Sequence, residues 1–243
     1  MQVIRSAFFA LGMAVSVVFI ALLALFFLPF SFSLRYRLIS QWARFNIWWL
    51  AKTCRLYYQV EGVENIPQRN GVVLCKHQSA WETLALQQIF PPQVWLLKRE
   101  LLMIPFFGWG LAMLEPIAIN RAAGRQAIRQ LKTQGQKRLD DGRWVIIYPE
   151  GSRIAPGKKG KYAPGGAMLA AHSSYPVVPV AHNAGEFWPK RGFLKKPGTI
   201  RVVIGPQIES EGKSASEINR LAESWIENEM SRISSYSKVG EVV

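Results

Sequence analysis

Charged side chains are absent from Ser6 to Leu34, and acidic ones are absent from the whole of residues 1–60, which carry six basic residues. Roughly twenty apolar residues cross the hydrocarbon core of a bilayer, so the uncharged run predicts a membrane helix. Pro29 stands near its end, where it kinks or stops the helix. The run is also too long for a cleaved signal, whose apolar part has roughly 7–15 residues before a small-x-small site. No clear site of that kind precedes Arg35. Cysteine is almost missing. Cys54 and Cys75 are isolated and lack metal-ligand spacing, which excludes a disulfide framework and fits a reducing compartment. Histidine occurs only as His77, His172 and His182, again without ligand spacing, so no metal is implied. Internal repeats are lacking, which removes the solenoid architectures.

What is present is basic charge, distributed by region. The chain has 30 Lys+Arg against 16 Asp+Glu, a net charge of +14. Residues 121–201 hold sixteen basic and four acidic side chains, while 61–120 and 202–243 together are net negative. A regional basic surface calls for an anionic partner on one side of the molecule. Nucleic acid and an anionic membrane surface both qualify on charge, and the apolar amino terminus decides for the membrane and against nucleic acid. In Arg35–Tyr58, Trp42, Trp48 and Trp49 are interleaved with Arg35, Arg37, Arg44, Lys52 and Arg55, the composition of a helix at headgroup level. The two stretches form either a hairpin dipping into one leaflet or a spanning helix followed by a surface helix. Basic residues clustered after Leu34 place the rest of the chain on the cytoplasmic side of the cytoplasmic (inner) membrane.

Residues 1–58 therefore read as a membrane-anchoring helical segment, and residues 59–243 as an α/β domain. Short apolar strands at Val72–Cys75, Val94–Leu97, Pro116–Ile119, Trp144–Tyr148, Pro176–Ala181 and Thr199–Ile204 alternate with helices at Trp81–Phe90, Gly124–Asp140, Ala167–His172 and Ser214–Ser234. That alternation implies a mostly parallel or mixed sheet flanked by helices. Leu101–Met113, broken by Pro105, Gly108 and Gly110, is irregular and apolar enough to line a pocket.

The stretch Val72–Thr83 concentrates the chemistry. Ser79 with Glu82 three residues on is a capping-box pattern, predicting Ser79 as N-cap. His77 and Glu82 are five apart, which on one continuous helix puts them about 140° apart. If His77 instead precedes the helix and Glu82 turns back toward its start, imidazole and carboxylate meet, as in an oriented general base. The plainer alternative is that Glu82 only caps the helix and His77 is a loop residue. Polar clusters also terminate three strands: Lys76-His77 after Cys75, Asn120-Arg121 after Ile119, and Glu150-Gly151-Ser152-Arg153 after Tyr148. Ligands of open α/β sheets bind outside the carboxyl ends of strands, and guanidinium groups there suit a phosphate.

Taken in order, KHQSAWE, LLKRELLMIPFFGWG through IAINR, YPEGSR and VVPVAHNAG resemble the four motifs of the glycerolipid acyltransferase superfamily, in its bacterial PlsC type, over roughly residues 60–185. The family's first motif is usually N-H-x4-D and its third F-P-E-G-T-R, so Lys76 and Glu82 depart from the pattern. The resemblance implies transfer of a fatty acyl group from acyl-CoA or acyl carrier protein, as co-substrate and without a cofactor. The acceptor it implies is the sn-2 hydroxyl of lysophosphatidic acid, giving phosphatidic acid for phospholipid synthesis; the alternatives are the same chemistry on another lysolipid, a lysophospholipid or an ornithine lipid, and a non-catalytic lipid-binding membrane protein. It implies His77 as general base and Glu82 as the carboxylate that orients it. Glu150, Gly151, Ser152 and Arg153 match acceptor binding, Arg121 matches a phosphate-binding arginine, and Lys98 is a further contributor. His172 and His182 match no catalytic position and read as structural or surface residues. Partners are then membrane lipids and the acyl donor.

Overall fold

The structure, a computed structural model, describes residues 1–236; residues 237–243 at the end of the α/β segment lie outside the described range. Two helices come first, α1 (Gln2–Leu25) and α2 (Phe32–Cys54). They run antiparallel. Cys54 Sγ meets the carbonyl of Arg5, Trp49 Nε1 that of Phe8, and Trp42 Nε1 donates to Ser16 Oγ at 3.0 Å. Gly12 lies where the indole of Trp49 crosses α1, and a Cβ there would collide with the ring. Helix α1 has 24 residues and is long and apolar enough to cross a membrane. Ile4, Phe8, Leu11, Val15, Phe19 and Leu22, spaced three and four apart, form an exposed apolar stripe along it.

The remainder is β1 (Leu56–Glu61), β2 (Val72–Cys75), α3 (Trp81–Ile89), β3 (Gln93–Lys98), α4 (Phe107–Ala112), β4 (Ile117–Ile119), α5 (Arg125–Asp140), β5 (Trp144–Ile147), α6 (Gly165–Ser173), β6 (Val177–His182), β7 (Gly198–Ile204) and α7 (Ala215–Ile233). The seven strands lie in the order β1-β7-β6-β2-β5-β3-β4. All neighbours are parallel except β6 with β7, so the sheet is mixed, as the alternation of strands and helices predicts.

Strands β2 and β5, at the centre of the sheet, are apolar at every position because both faces are covered. Val73, Cys75, Ile146, Val178 and Val180 face a core shared with α1, α2 and α3. Val72, Leu74, Val145, Ile147 and Val177 face the opposite core, filled by Leu131 and Leu139 of α5, Leu169 of α6, and Ile218 and Ile226 of α7. Strands β2, β5, β3 and β4 are adjacent and parallel, so their carboxyl ends open along one edge of the domain. The polar clusters that follow three of them, and Lys98 at the end of β3, are thereby set side by side.

Candidate active site

At the end of β2 the chain leaves the sheet and turns through Lys76–Ala80 into α3. Here His77 Nδ1 stands 2.8 Å from Glu82 Oε1. The same oxygen accepts the backbone N–H groups of Gln78 at 2.9 Å and Ser79 at 2.8 Å, and Oε2 takes Ser79 at 3.1 Å. Glu82 thus caps the helix start and holds the imidazole at once; the two readings left open by the sequence coexist. The expected capping box is formed: the Ser79 hydroxyl accepts the N–H of Trp81 at 3.2 Å while Glu82, three residues on, accepts the N–H of Ser79, and Ala80 already has helical dihedrals just before the helix proper begins at Trp81. His77 lies outside the helix, which removes the 140° obstacle.

Glu82 is fully buried. Burial pushes its carboxyl up, but His182, the hydrogen bond from His77 and the Ser79 amide outweigh that and hold it below the usual carboxylate range. An ionised carboxylate only accepts, so Nδ1 of His77 carries the proton and Nε2 is the basic nitrogen. The imidazole also lies nearly parallel to the ring of Tyr148, with centroids 4.1 Å apart and planes at 16°.

His77 forms part of the wall of a cavity of about 490 Å³. Beside it, at the strand ends, Lys98, Arg121, Gly151 and Arg153 line the same space. Beyond them the walls are apolar: Met13, Val17 and Ile20 of α1, Ile39 and Trp42 of α2, Trp95 and Leu97 of β3, and Leu101, Phe106 and Leu111 around α4. Arg121 Nη1 donates to the carbonyl of Gly151. Gly151 has φ 66°, the left-handed region that favours glycine, and the Arg121 guanidinium, the mobile end of a long side chain, lies where its Cβ would stand.

Two of the expected acceptor-binding residues stand elsewhere. The Glu150 side chain is closed off from solvent and turned inward, with Oε1 2.7 Å from Lys76 Nζ and Oε2 accepting the backbone N–H of His77 at 2.8 Å. Both oxygens are occupied, so it supports the loop and does not reach the cavity. Ser152 is exposed and is not part of the cavity wall. His182 is a buried neighbour of the site. Its Nδ1 accepts the N–H of Ala184 at 3.2 Å, so Nε2 carries the proton, lying 2.8 Å from the carbonyl of Lys76 and 3.8 Å from Glu82 Oε2. Burial lowers its pKa and favours the neutral ring. The buried Lys76 and the wall contributed by α1 and α2 also escape sequence reasoning. An unpaired lysine at the end of an apolar strand was the available signal for the first, and nothing marked the second. Among the described residues no group of three or more His, Cys, Asp or Glu is placed to hold a metal ion.

Comparison with known proteins identifies the family. A family model described as Acyltransferase matches residues 58–183. A 1-acyl-sn-glycerol-3-phosphate acyltransferase of Pseudomonas aeruginosa is 47% identical over 238 residues, covering 96% of this chain and 93% of that protein. A chloroplastic 1-acyl-sn-glycerol-3-phosphate acyltransferase of Arabidopsis thaliana is 26% identical over 239 residues, covering 93% of this chain and 65% of its own length. The crystal structure of the PlsC acyltransferase from Thermotoga maritima shares the fold, with a TM-score of 0.79 over 95% of each chain at 24% identity. Motifs, fold and relatives converge: the chain belongs to the glycerolipid acyltransferase superfamily, in its PlsC type, and is an acyltransferase.

Proposed function

We propose that this acyltransferase moves a fatty acyl group from a thioester, acyl-CoA or acyl carrier protein, to the sn-2 hydroxyl of 1-acylglycerol-3-phosphate, giving phosphatidic acid. The observation that carries the reading is the His77–Glu82 pair, with His77 lining a largely apolar cavity that Arg121, Arg153 and Lys98 also line. The P. aeruginosa relative, named for this reaction, supports it.

His77 Nε2 takes the proton of the acceptor hydroxyl as its oxygen attacks the thioester carbonyl. Such a positioned base contributes about 10²–10⁴-fold to rate. Glu82 keeps the tautomer fixed and stabilises the imidazolium that forms. As the tetrahedral intermediate collapses, the C–S bond breaks and the imidazolium returns its proton to the leaving thiolate. No side chain is acylated. The cations hold the acceptor phosphate through charge-assisted hydrogen bonds, and the apolar walls take an acyl chain.

The exposed apolar stripe of α1 supports membrane association, and we place the α/β domain at the cytoplasmic face of the cytoplasmic membrane. There the basic surface meets anionic lipids at roughly 1 kcal/mol per nearby Lys or Arg.

The test is thiol release by the purified protein with a panel of lysolipid acceptors. 1-Acylglycerol-3-phosphate is expected to be the preferred acceptor, and Arg153→Ala to raise its KM about tenfold, the loss of one charge-assisted bond. Preference for a phosphate-free lysolipid, with Arg153→Ala silent, sinks the assignment.

A further inference from the structure

Lysine is rarely buried, yet Lys76, next to the base, is 1% exposed. Its ammonium lies 2.7 Å from Glu150 Oε1 and 2.8 Å from Glu227 Oε1 on α7. The Tyr162 hydroxyl donates to that same Glu227 oxygen at 2.8 Å. Glu150 then passes the constraint on: its other oxygen accepts the His77 N–H at 2.8 Å. On the far side of the same residue, the His77 carbonyl accepts the N–H of Ile154 at 2.8 Å. Both peptide groups of His77 are therefore gripped by the segment that follows β5.

Burial pushes the Glu150 carboxyl up, and only Lys76 and the His77 amide pull it back. Without a cation in contact, a carboxylate in this position takes up a proton and becomes a weaker acceptor. We infer that Lys76 is a positioning residue for the base: held between Glu150 and Glu227, its ammonium fixes the carboxylate that carries the His77 N–H, and so sets where the imidazole stands. An ion pair that merely filled the core would behave differently. Exchanging such a pair for well-packed apolar side chains of similar volume is often neutral or stabilising, so its loss would not move the base.

The role draws on the proposed acyl transfer for its kinetic readout alone, because the hydrogen bond can be followed without turnover. The informative pair is Lys76→Met with Glu150→Gln against Lys76→Met with Glu150→Leu. Both leave the buried site without Lys76 or a charge at 150, and they differ in whether residue 150 offers an acceptor to His77. In detergent-solubilised full-length protein, amide hydrogen exchange across residues 76–79 is expected to be about tenfold faster in the Leu form than in the Gln form. The kcat is expected to be about tenfold lower, with KM for both substrates within about twofold. Lys76→Met alone is expected to lose kcat that adding Glu150→Gln restores. Equal exchange in the two double variants, or a Gln double variant no better than Lys76→Met alone, overturns the proposal. If even the unaltered protein shows no transfer, the proposed reaction fails, while exchange across residues 76–79 in Lys76→Met, expected to be faster than in the unaltered protein and slowed again by adding Glu150→Gln, still decides the role of Lys76; an unchanged rate in Lys76→Met overturns it.

Discussion

The two ends of the cavity are built on different principles. At the polar end a few short segments converge because parallel neighbouring strands stop along one edge, and the His77 loop is held by hydrogen bonds to Glu82 and Glu150. His77 alone is fixed through Nδ1, its backbone N–H and its carbonyl. At the apolar end the walls come from apolar side chains of α1, α2, β3 and α4. Rigid hydrogen-bonded geometry serves reaction, and a wall of adaptable apolar side chains serves binding. Substitutions at the first end should therefore act on kcat, and those at the second on which acyl chains are accepted.

The sharpest break in that contrast lies at Glu82. Glu82→Gln keeps the size but loses the charge, and kcat is expected to fall about 100-fold, within the range of a positioned general base. Glu82→Asp is expected to retain substantial activity. Equal steady-state rates in all three proteins would reduce Glu82 to a helix cap. At the apolar end Gly110 lines the cavity and an added Cβ meets no atom within 4 Å, so the side chain of Gly110→Leu starts in open space and is expected to narrow the cavity. A few-fold loss of kcat/KM for the longest acyl chains relative to shorter ones is expected, since a methylene or two in an apolar pocket is worth about 1–3 kcal/mol. An unchanged chain-length profile would detach that wall from substrate.

The smallest effect expected is on stability. His182 is buried with a lowered pKa, so near its ordinary value of 6.5 the unfolded chain binds a proton that the folded chain does not. Stability then rises with pH, and is lost as pH falls from about 7 toward 5. His182→Gln should flatten that part of the curve; an unaltered slope in denaturant melts at pH 5, 6 and 7 would contradict it.

This division also marks what the sequence reveals. The charge-free run from Ser6 appears as α1, and apolar runs bounded by turns appear as strands within a residue or two, because length and patterning are local. His77, Glu82, Arg121 and Arg153 stand out because they follow strands in a family order. Glu150 was legible as a motif residue but not in its direction, since its partner Lys76 is 74 positions away, after another strand. Lys76 itself is paired with Glu227, 151 residues distant, and the proximity of His182 to Glu82 depends on the crossover that places β6 beside β2. Likewise an apolar helix face looks the same in sequence whether it meets lipid, core or cavity. The wall made by α1 and α2 emerges only once the hairpin is seated on the domain.

The most direct measurement is acyl transfer from acyl-CoA to 1-acylglycerol-3-phosphate by purified wild-type and His77→Ala proteins of equal thermal stability. Loss of about 10²–10⁴-fold in kcat, with the variant still membrane-bound, is predicted for removal of the base. Turnover within a few-fold of wild type would contradict the account.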